Sequence, residues 1–180
     1  MQNSFQKSRP ITLIGMMGSG KSLVSRHLAS HLQRQFFDSD SLIEEHEKKT
    51  ITEIFSEKGE AFFRKLEAEI IQEIIAEENI VFAVGGGAFA QKNLQKILLE
   101  KTFCIWLDAS VDTLFLRLAD DNSRPLLAQK NSAEKKSAIA ALLEKRVDSY
   151  KRAHLRVCVD DLSAEEIVLE IITKLSKNGS

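Results

Sequence analysis

The chain has no apolar run long enough to cross a bilayer; stretches such as Ile80-Val81-Phe82-Ala83-Val84 stop far short of a membrane span. It has almost no net charge. Lys and Arg number 25 against 26 Asp and Glu, a formal charge of -1, so no whole-molecule field draws it to nucleic acid or acidic lipid. Cysteine is scarce: Cys104 and Cys158 both lie in apolar segments, where thiols are expected to pack as core residues rather than pair in a disulfide. The four histidines are scattered without metal-ligand spacing. Repeats and low-complexity tracts are missing too. Residues 1–8 are polar, lack the apolar centre of a signal peptide, and read as a loose tail. What remains is ordinary for a globular chain: 180 residues, 43% apolar and 28% charged, enough for one domain with a core. The expectation is a single cytoplasmic domain spanning 1–180, with its core over about 10–176 and no membrane or nucleic-acid partner.

Residues 15–22 read Gly15-Met16-Met17-Gly18-Ser19-Gly20-Lys21-Ser22, a complete G-x-x-x-x-G-K-S phosphate loop. It follows the apolar run Ile11-Thr12-Leu13-Ile14 and precedes Leu23-Val24-Ser25-Arg26-His27-Leu28, which has helical spacing. A buried strand, a glycine-rich turn and a helix N-terminus is the context the motif requires. The glycines let backbone N–H groups curl around a phosphate, and the helix dipole adds partial positive charge. Lys21 can reach the β and γ phosphates, and the Ser22 hydroxyl can ligate magnesium. The motif points to a nucleotide and is silent on what receives the phosphate.

Short β-rich runs at 10–14, 35–38, 80–84, 103–107 and 156–159 alternate with helical patterns. Phe62, Leu66, Ile70 and Ile74 mark one helix, and Ile167, Val168, Ile171 and Ile172 another. Ser41…Glu44, Thr50…Glu53 and Ser163…Glu166 read as capping boxes. The alternation predicts an α/β fold with a parallel sheet, helices on both faces, and ligands above the strand C-terminal ends. One polar segment breaks the rhythm, 120–136 with Arg124-Pro125, and reads either as a lid over about 120–137 or as an ordinary solvated loop.

Further chemistry gathers at three places. Phe36-Phe37-Asp38-Ser39-Asp40 ends the second expected strand, and two carboxylates at i and i+2 of an extended chain share a side. One can bind magnesium and the other accept a proton from an attacking hydroxyl; either can instead cap the next helix. Gly85-Gly86-Gly87 follows the third strand and leaves room for a ligand to approach backbone N–H groups closely, unless it is a tight turn. Arg64 and Arg146, singly, read as surface arginines; with the glycines they can clamp a small carboxylate bidentately. Asp108 ends the apolar run Phe103-Cys104-Ile105-Trp106-Leu107 in Walker-B fashion and rivals Asp38 for the metal, or leads into a helix beginning at Ser110. Gly18-Ser19-Gly20-Lys21-Ser22-Leu23 lacks the third glycine of a dinucleotide fingerprint.

Taken in order, residues 15–22, Asp38-Ser39-Asp40, Phe63-Arg64, Gly85-Gly86-Gly87, Arg124-Pro125-Leu126-Leu127 and Arg146…Tyr150 closely resemble the shikimate kinases. The resemblance covers about residues 11–175. It implies a three-layer α-β-α fold like that of nucleoside-monophosphate kinases, with a central five-stranded parallel sheet and a mobile lid, and a monomer. It implies transfer of the ATP γ-phosphoryl group to the 3-hydroxyl of shikimate, on the way to chorismate and the aromatic amino acids. By the same resemblance Gly18, Ser19, Gly20, Lys21, Ser22 and Leu23 hold the nucleotide phosphates, with Arg117 near the adenine. Ser22 and Asp38 hold Mg2+, the latter through water, and Asp40 acts on the substrate hydroxyls. Arg64, Gly85, Gly86, Gly87 and Arg146 bind shikimate, and Arg124 swings onto the phosphates. Catalysis then falls to Asp40, Lys21 and Arg124. Two departures stand out. Leu23 replaces the family's usual threonine, a loss of one hydrogen bond worth about 1 kcal/mol. Val159-Asp160-Asp161-Leu162 lacks the arginine or similar residue that stacks on adenine in many members. The competing readings are a kinase for another hydroxy acid such as gluconate, and a nucleotide-binding module without turnover.

Overall fold

Four wholly buried residues, Ile11–Ile14, form the central strand β1. The computed structural model describes residues 9–119 and 131–177. Around β1 lie β2 (Gln35–Asp38), β3 (Ile80–Ala83), β4 (Phe103–Asp108) and β5 (Leu155–Cys158), in the order β2-β3-β1-β4-β5, every pair parallel. Both faces are covered by helices, which is why β1 and β3 are buried at every position instead of alternating. The helices are α1 (Lys21–Leu32), α2 (Ser39–Glu47), α3 (Ile51–Ala76), α4 (Lys92–Lys101), α5 (Val111–Leu118), α6 (Ser132–Tyr150) and α7 (Ala164–Lys177). Helix α1 packs on α7, α2 on α3, and α5 on α6. No described helix is long and apolar enough to cross a membrane.

The register brings the carboxyl ends of the strands level. Leu13 and Asp38 each pair with Ala83, and Ile14 pairs with Trp106. With β1 flanked by β3 and β4, the chain crosses in opposite directions from the centre, and a crevice opens above that end. Each strand therefore delivers its following loop to one place: residues 15–20, Asp38 onward, and Gly85 onward.

Local expectations meet the structure unevenly. The Thr50–Glu53 box is reciprocal, with Thr50 N–H to Glu53 Oε2 at 2.7 Å and Glu53 N–H to Thr50 Oγ1 at 3.2 Å. Ser163 and Glu166 make the same pair of bonds, at 2.8 and 3.3 Å. The Ser41–Glu44 box does not form. Asp38 caps α2 three residues earlier by accepting the Asp40 N–H at 3.0 Å, and Glu44 instead accepts the Ile51 N–H of α3 at 2.9 Å. Of the span 120–137 expected as a lid, residues 132–137 are helical, the start of α6, capped by reciprocal bonds between Asn131 and Glu134. Arg124 and the rest of 120–130 lie outside the described residues, as does the tail at 1–8. Cys104 is buried as expected, its thiol pushed up to about 11 by burial. Cys158 is exposed, because on the edge strand β5 it alternates with the buried Val157.

Candidate active site

The turn from β1 into α1 needs glycine. Gly15, Gly18 and Gly20 have φ of +143°, +80° and +91°, and Gly20 is the N-cap of α1 with no side chain closing the helix end. A side chain at Gly15 would also meet the Leu107 carbonyl at 2.5 Å. The Lys21 ammonium reaches back over the turn to the Met16 carbonyl at 2.7 Å. Ser19 Oγ is buried without a hydrogen-bond partner among the described residues. Arg117, on α5, donates to the carbonyls of Gly18 and Ser19 at 3.4 Å and of Val159 at 3.3 Å, tying the turn to the loop after β5. Ser22 and Leu23 open α1 on the exposed side, Leu23 at 54% exposure.

Beside this turn is a cleft of about 260 Å3 lined by Met17, Gly18, Gly20, Lys21, Ser22, Leu23, Asp38, Asp40 and Gly86. Asp38 ends β2 and Asp40 lies in the first turn of α2, so the pair meets in the cleft by way of a helix start rather than by strand alternation. Asp38 serves both readings: it caps α2 and lines the cleft. Asp108 does not join them. Its carboxylate pairs with Arg156 of β5 through Nε at 2.8 Å and Nη2 at 2.5 Å. A wider groove of about 460 Å3 between α3 and α4 shares Arg64 with the site but has neither the glycine turn nor the aspartates.

The glycine triplet is bare for three different reasons, and none of its residues has a left-handed φ. Over Gly85, a Cβ would meet Glu67 Oε1 at 2.5 Å and Asp40 Oδ1 at 2.9 Å. At Gly86 it would meet Met17 N at 3.2 Å, the Gly15 carbonyl at 3.3 Å and Arg146 Nη1 at 3.4 Å. At Gly87 it would strike the Arg64 guanidinium, with Nη2 at 2.7 Å. The triplet thus lets two carboxylates, two guanidinium groups and the phosphate loop converge. The Gly85 N–H is already committed, to Ser39 Oγ at 3.2 Å.

Neither arginine is a free surface charge. Arg64 pairs with Glu67 Oε2 at 2.8 Å and Glu60 Oε1 at 3.1 Å. Arg146 is 9% exposed and points Nη1 at Met16 Sδ, 3.8 Å away. Tyr150, one turn on, is fully buried, donates its hydroxyl to the Gly86 carbonyl, and lies 3.8 Å from Met16 Sδ. Burial pushes that hydroxyl up to about 12, so it stays a donor.

Sequence reasoning missed Glu67, Gln91 and Ser39. Glu67 is wholly buried, with Oε2 held by Arg64 and by Gln91 Nε2 at 2.9 Å and Oε1 without a partner among the described residues. Burial raises its carboxyl above the ordinary range; Arg64 pulls the other way and the Asp40 charge adds to the rise. The signal was present: an acid on the buried stripe Phe63, Ile70, Ile74 of α3, three residues after Arg64.

A family model described as shikimate kinase matches residues 17–176. A shikimate kinase from Zymomonas mobilis is 44% identical over 94% of this chain and 94% of its own length. One from Sulfurihydrogenibium is 41% identical over 93% of this chain and 98% of its own. Among solved structures, a shikimate kinase from Acinetobacter baumannii in complex with shikimate superposes with a TM-score of 0.91 at 32% identity, covering 97% of both chains.

Proposed function

This chain belongs to the shikimate kinase family, and from that premise we infer that it transfers the ATP γ-phosphoryl group to the 3-hydroxyl of shikimate, giving shikimate 3-phosphate and ADP. The observation that carries the reading is the convergence on one glycine triplet of the phosphate loop, Asp40, Arg64 and Arg146. Donor and acceptor machinery meet across a single backbone segment. A gluconate kinase or a turnover-free module has no need of that joint arrangement.

The residue roles follow from chemistry. Residues 18–23 bind the nucleotide phosphates, with the left-handed turn and the open end of α1 supplying N–H groups. Lys21 leaves the Met16 carbonyl for the transferred group. Arg117 braces the turn from behind and faces the base loop at Val159. Arg64 and Arg146 hold the shikimate carboxylate, with Gly86 and Gly87 leaving the space for them and Gly85 leaving it for the carboxylates. Asp40 orients the 3-hydroxyl and accepts its proton as the oxygen attacks the γ-phosphorus and the bond to the β-phosphate oxygen breaks, the electron pair leaving on ADP. Arg124, by the family resemblance, adds positive charge at the phosphates.

The donor set at the mouth of the cleft, the Ser22 hydroxyl and the Asp38 carboxylate, is hard oxygen and fits Mg2+, with Asp38 acting through water. Ser22 and Asp38 would hold Mg2+ there, and the ion would supply positive charge against the nucleotide phosphates. We assign the chain as one domain over 1–180 that works as a cytoplasmic monomer.

A coupled ADP-release assay with ATP, Mg2+ and a panel of shikimate, quinate and gluconate tests the function. Turnover with shikimate is expected; ATP binding without shikimate turnover overturns the reading. Asp40→Asn is expected to nearly abolish turnover while leaving ATP affinity little changed.

A further inference from the structure

We propose that Gln91 is a positioning residue for the acceptor: its amide, instead of capping its own helix, anchors Glu67 and so keeps Arg64 where the shikimate carboxylate docks. This rests on the shikimate kinase reading and extends the acceptor site by one residue. Gln91 stands at the N-cap of α4, a position where Ser, Thr, Asp or Asn closes a helix end best, and its side chain makes no bond to that helix. The amide is used elsewhere. A short 3-10 turn, Ala88–Ala90, follows the glycine triplet, and the Gln91 N–H closes it on the Ala88 carbonyl at 3.1 Å. From there Gln91 Nε2 reaches across to α3 and donates to Glu67 Oε2 at 2.9 Å.

Three contacts fix the Arg64 guanidinium, and they are unequal. It lies against Gly87, where a Cβ would come within 2.7 Å of Nη2 and 3.0 Å of Cζ and Nη1. Its bond to Glu60 Oε1, at 3.1 Å, goes to a side chain that is 60% exposed, and a pair so open to water holds little. Its bond from Nη1 to Glu67 Oε2, at 2.8 Å, goes to a carboxylate with no exposure at all. Glu67 Oε1 has no partner among the described residues, so Gln91 is the hold on that carboxylate that does not come from Arg64 itself. Without the amide, Glu67 and Arg64 are tied to each other and shift as a pair. Burial already raises the Glu67 carboxyl; with one donor fewer it rises further, and each protonation releases Arg64. A guanidinium that has gained rotamer freedom must lose it again when the carboxylate docks, so acceptor binding weakens. That binding is made alike in the ground and transition states, so its loss falls on KM rather than on kcat.

Steady-state kinetics and calorimetry with shikimate on the full chain test the assignment. Gln91→Met keeps the length of the side chain and removes the donor. It is expected to raise the shikimate KM and Kd about five-fold, the size of one hydrogen bond, with kcat within about two-fold of wild type. Gln91→Lys keeps a donor at similar reach and is expected to recover most of that loss. Lys92→Ala, at the next and exposed position of the same helix, is expected to leave the Kd unchanged. In a Glu67→Gln background, Gln91→Met is expected to change the Kd by less than about two-fold, because both act through one contact. A Kd in Gln91→Met equal to or tighter than wild type overturns the proposal, as does a fall in kcat as large as the rise in KM. No recovery in Gln91→Lys, an equal loss in Lys92→Ala, or the full five-fold effect in the Glu67→Gln background overturns it too. A wild-type protein that turns over shikimate while Gln91→Met binds it normally loses only the role of Gln91; one that does not turn over shikimate loses the function beneath it.

Discussion

Replacing Gly85 by alanine strains the site where it is tightest. The added methyl would lie 2.5 Å from Glu67 Oε1 and 2.9 Å from Asp40 Oδ1, whereas ordinary contact begins at 3.4 Å. Glu67 would have to retreat by about 0.9 Å and Asp40 by about 0.5 Å to reach that distance. Glu67 cannot retreat easily, since its other oxygen is fixed by Arg64 at 2.8 Å and Gln91 at 2.9 Å and its side chain has no exposure. The overlap with Glu67 is therefore relieved by a shift of the Gly85 backbone, which presses the methyl on Asp40, the proposed proton acceptor, as well. Gly85 has no left-handed φ, so alanine adds no backbone penalty and the effect is one of contact. Overpacking of this kind costs about 1–3 kcal/mol of stability. A reacting group misplaced by an ångström loses about 10²-fold in rate, and Asp40 moves by about half of that. In a coupled assay, kcat with shikimate is expected to fall about 10-fold, while calorimetric affinity for a non-hydrolysable ATP analogue stays within about two-fold because the phosphate loop is untouched. A kcat close to wild type, or a loss confined to nucleotide affinity, refutes the reasoning.

Three more outcomes are expected. Asp38→Asn should raise the Mg2+ concentration needed for half-maximal rate far more than Asp108→Asn, because Asp108 is engaged by Arg156 and Asp38 lines the cleft; a magnesium titration of each variant checks this, and the reverse order makes Asp108 the metal residue. Leu23→Thr restores a hydroxyl at the first turn of α1 and should tighten ATP binding by about five-fold, from about 1 kcal/mol of net hydrogen bonding, as read by calorimetry. His154 accepts the Cys104 N–H at 2.9 Å through Nδ1, and burial, with the Arg9 charge, holds its pKa below the ordinary value. The unfolded chain therefore binds the proton more readily, so His154 contributes stability that is fully present above about pH 6.5 and lost as pH falls through the lower folded value. Urea unfolding at descending pH should show that loss, diminished in His154→Asn.

The fold was legible because its signals are local and redundant. Strand β2 matches its expected bounds of 35–38, and the Thr50–Glu53 and Ser163–Glu166 boxes close as their spacing requires. Where one segment supported two readings, the spatial setting decided. Asp38 rather than Ser41 caps α2, because the helix begins as soon as β2 ends. Cys158 looked like a core residue since its neighbours are apolar, and only its place on an edge strand exposes it. The donor half of the site could be read from eight consecutive residues. The acceptor half could be listed residue by residue, but not its internal wiring. Glu67 joins its helix neighbour Arg64 to Gln91 and to the space over Gly85, and only the Arg64 spacing shows in the chain. Ser39 on Gly85 and Met16 against α6 are likewise contacts that no spacing rule reports.

The central claim is that Asp40 and the two arginines present one particular hydroxyl of shikimate to the phosphate loop. Phosphorus–proton correlation NMR of the product formed from ATP, Mg2+ and shikimate tests it most directly. A single product carrying the phosphate on the 3-hydroxyl, formed in step with ADP, is expected. Phosphate on a different hydroxyl, a mixture of positions, or ADP formed without phosphorylated shikimate would contradict it.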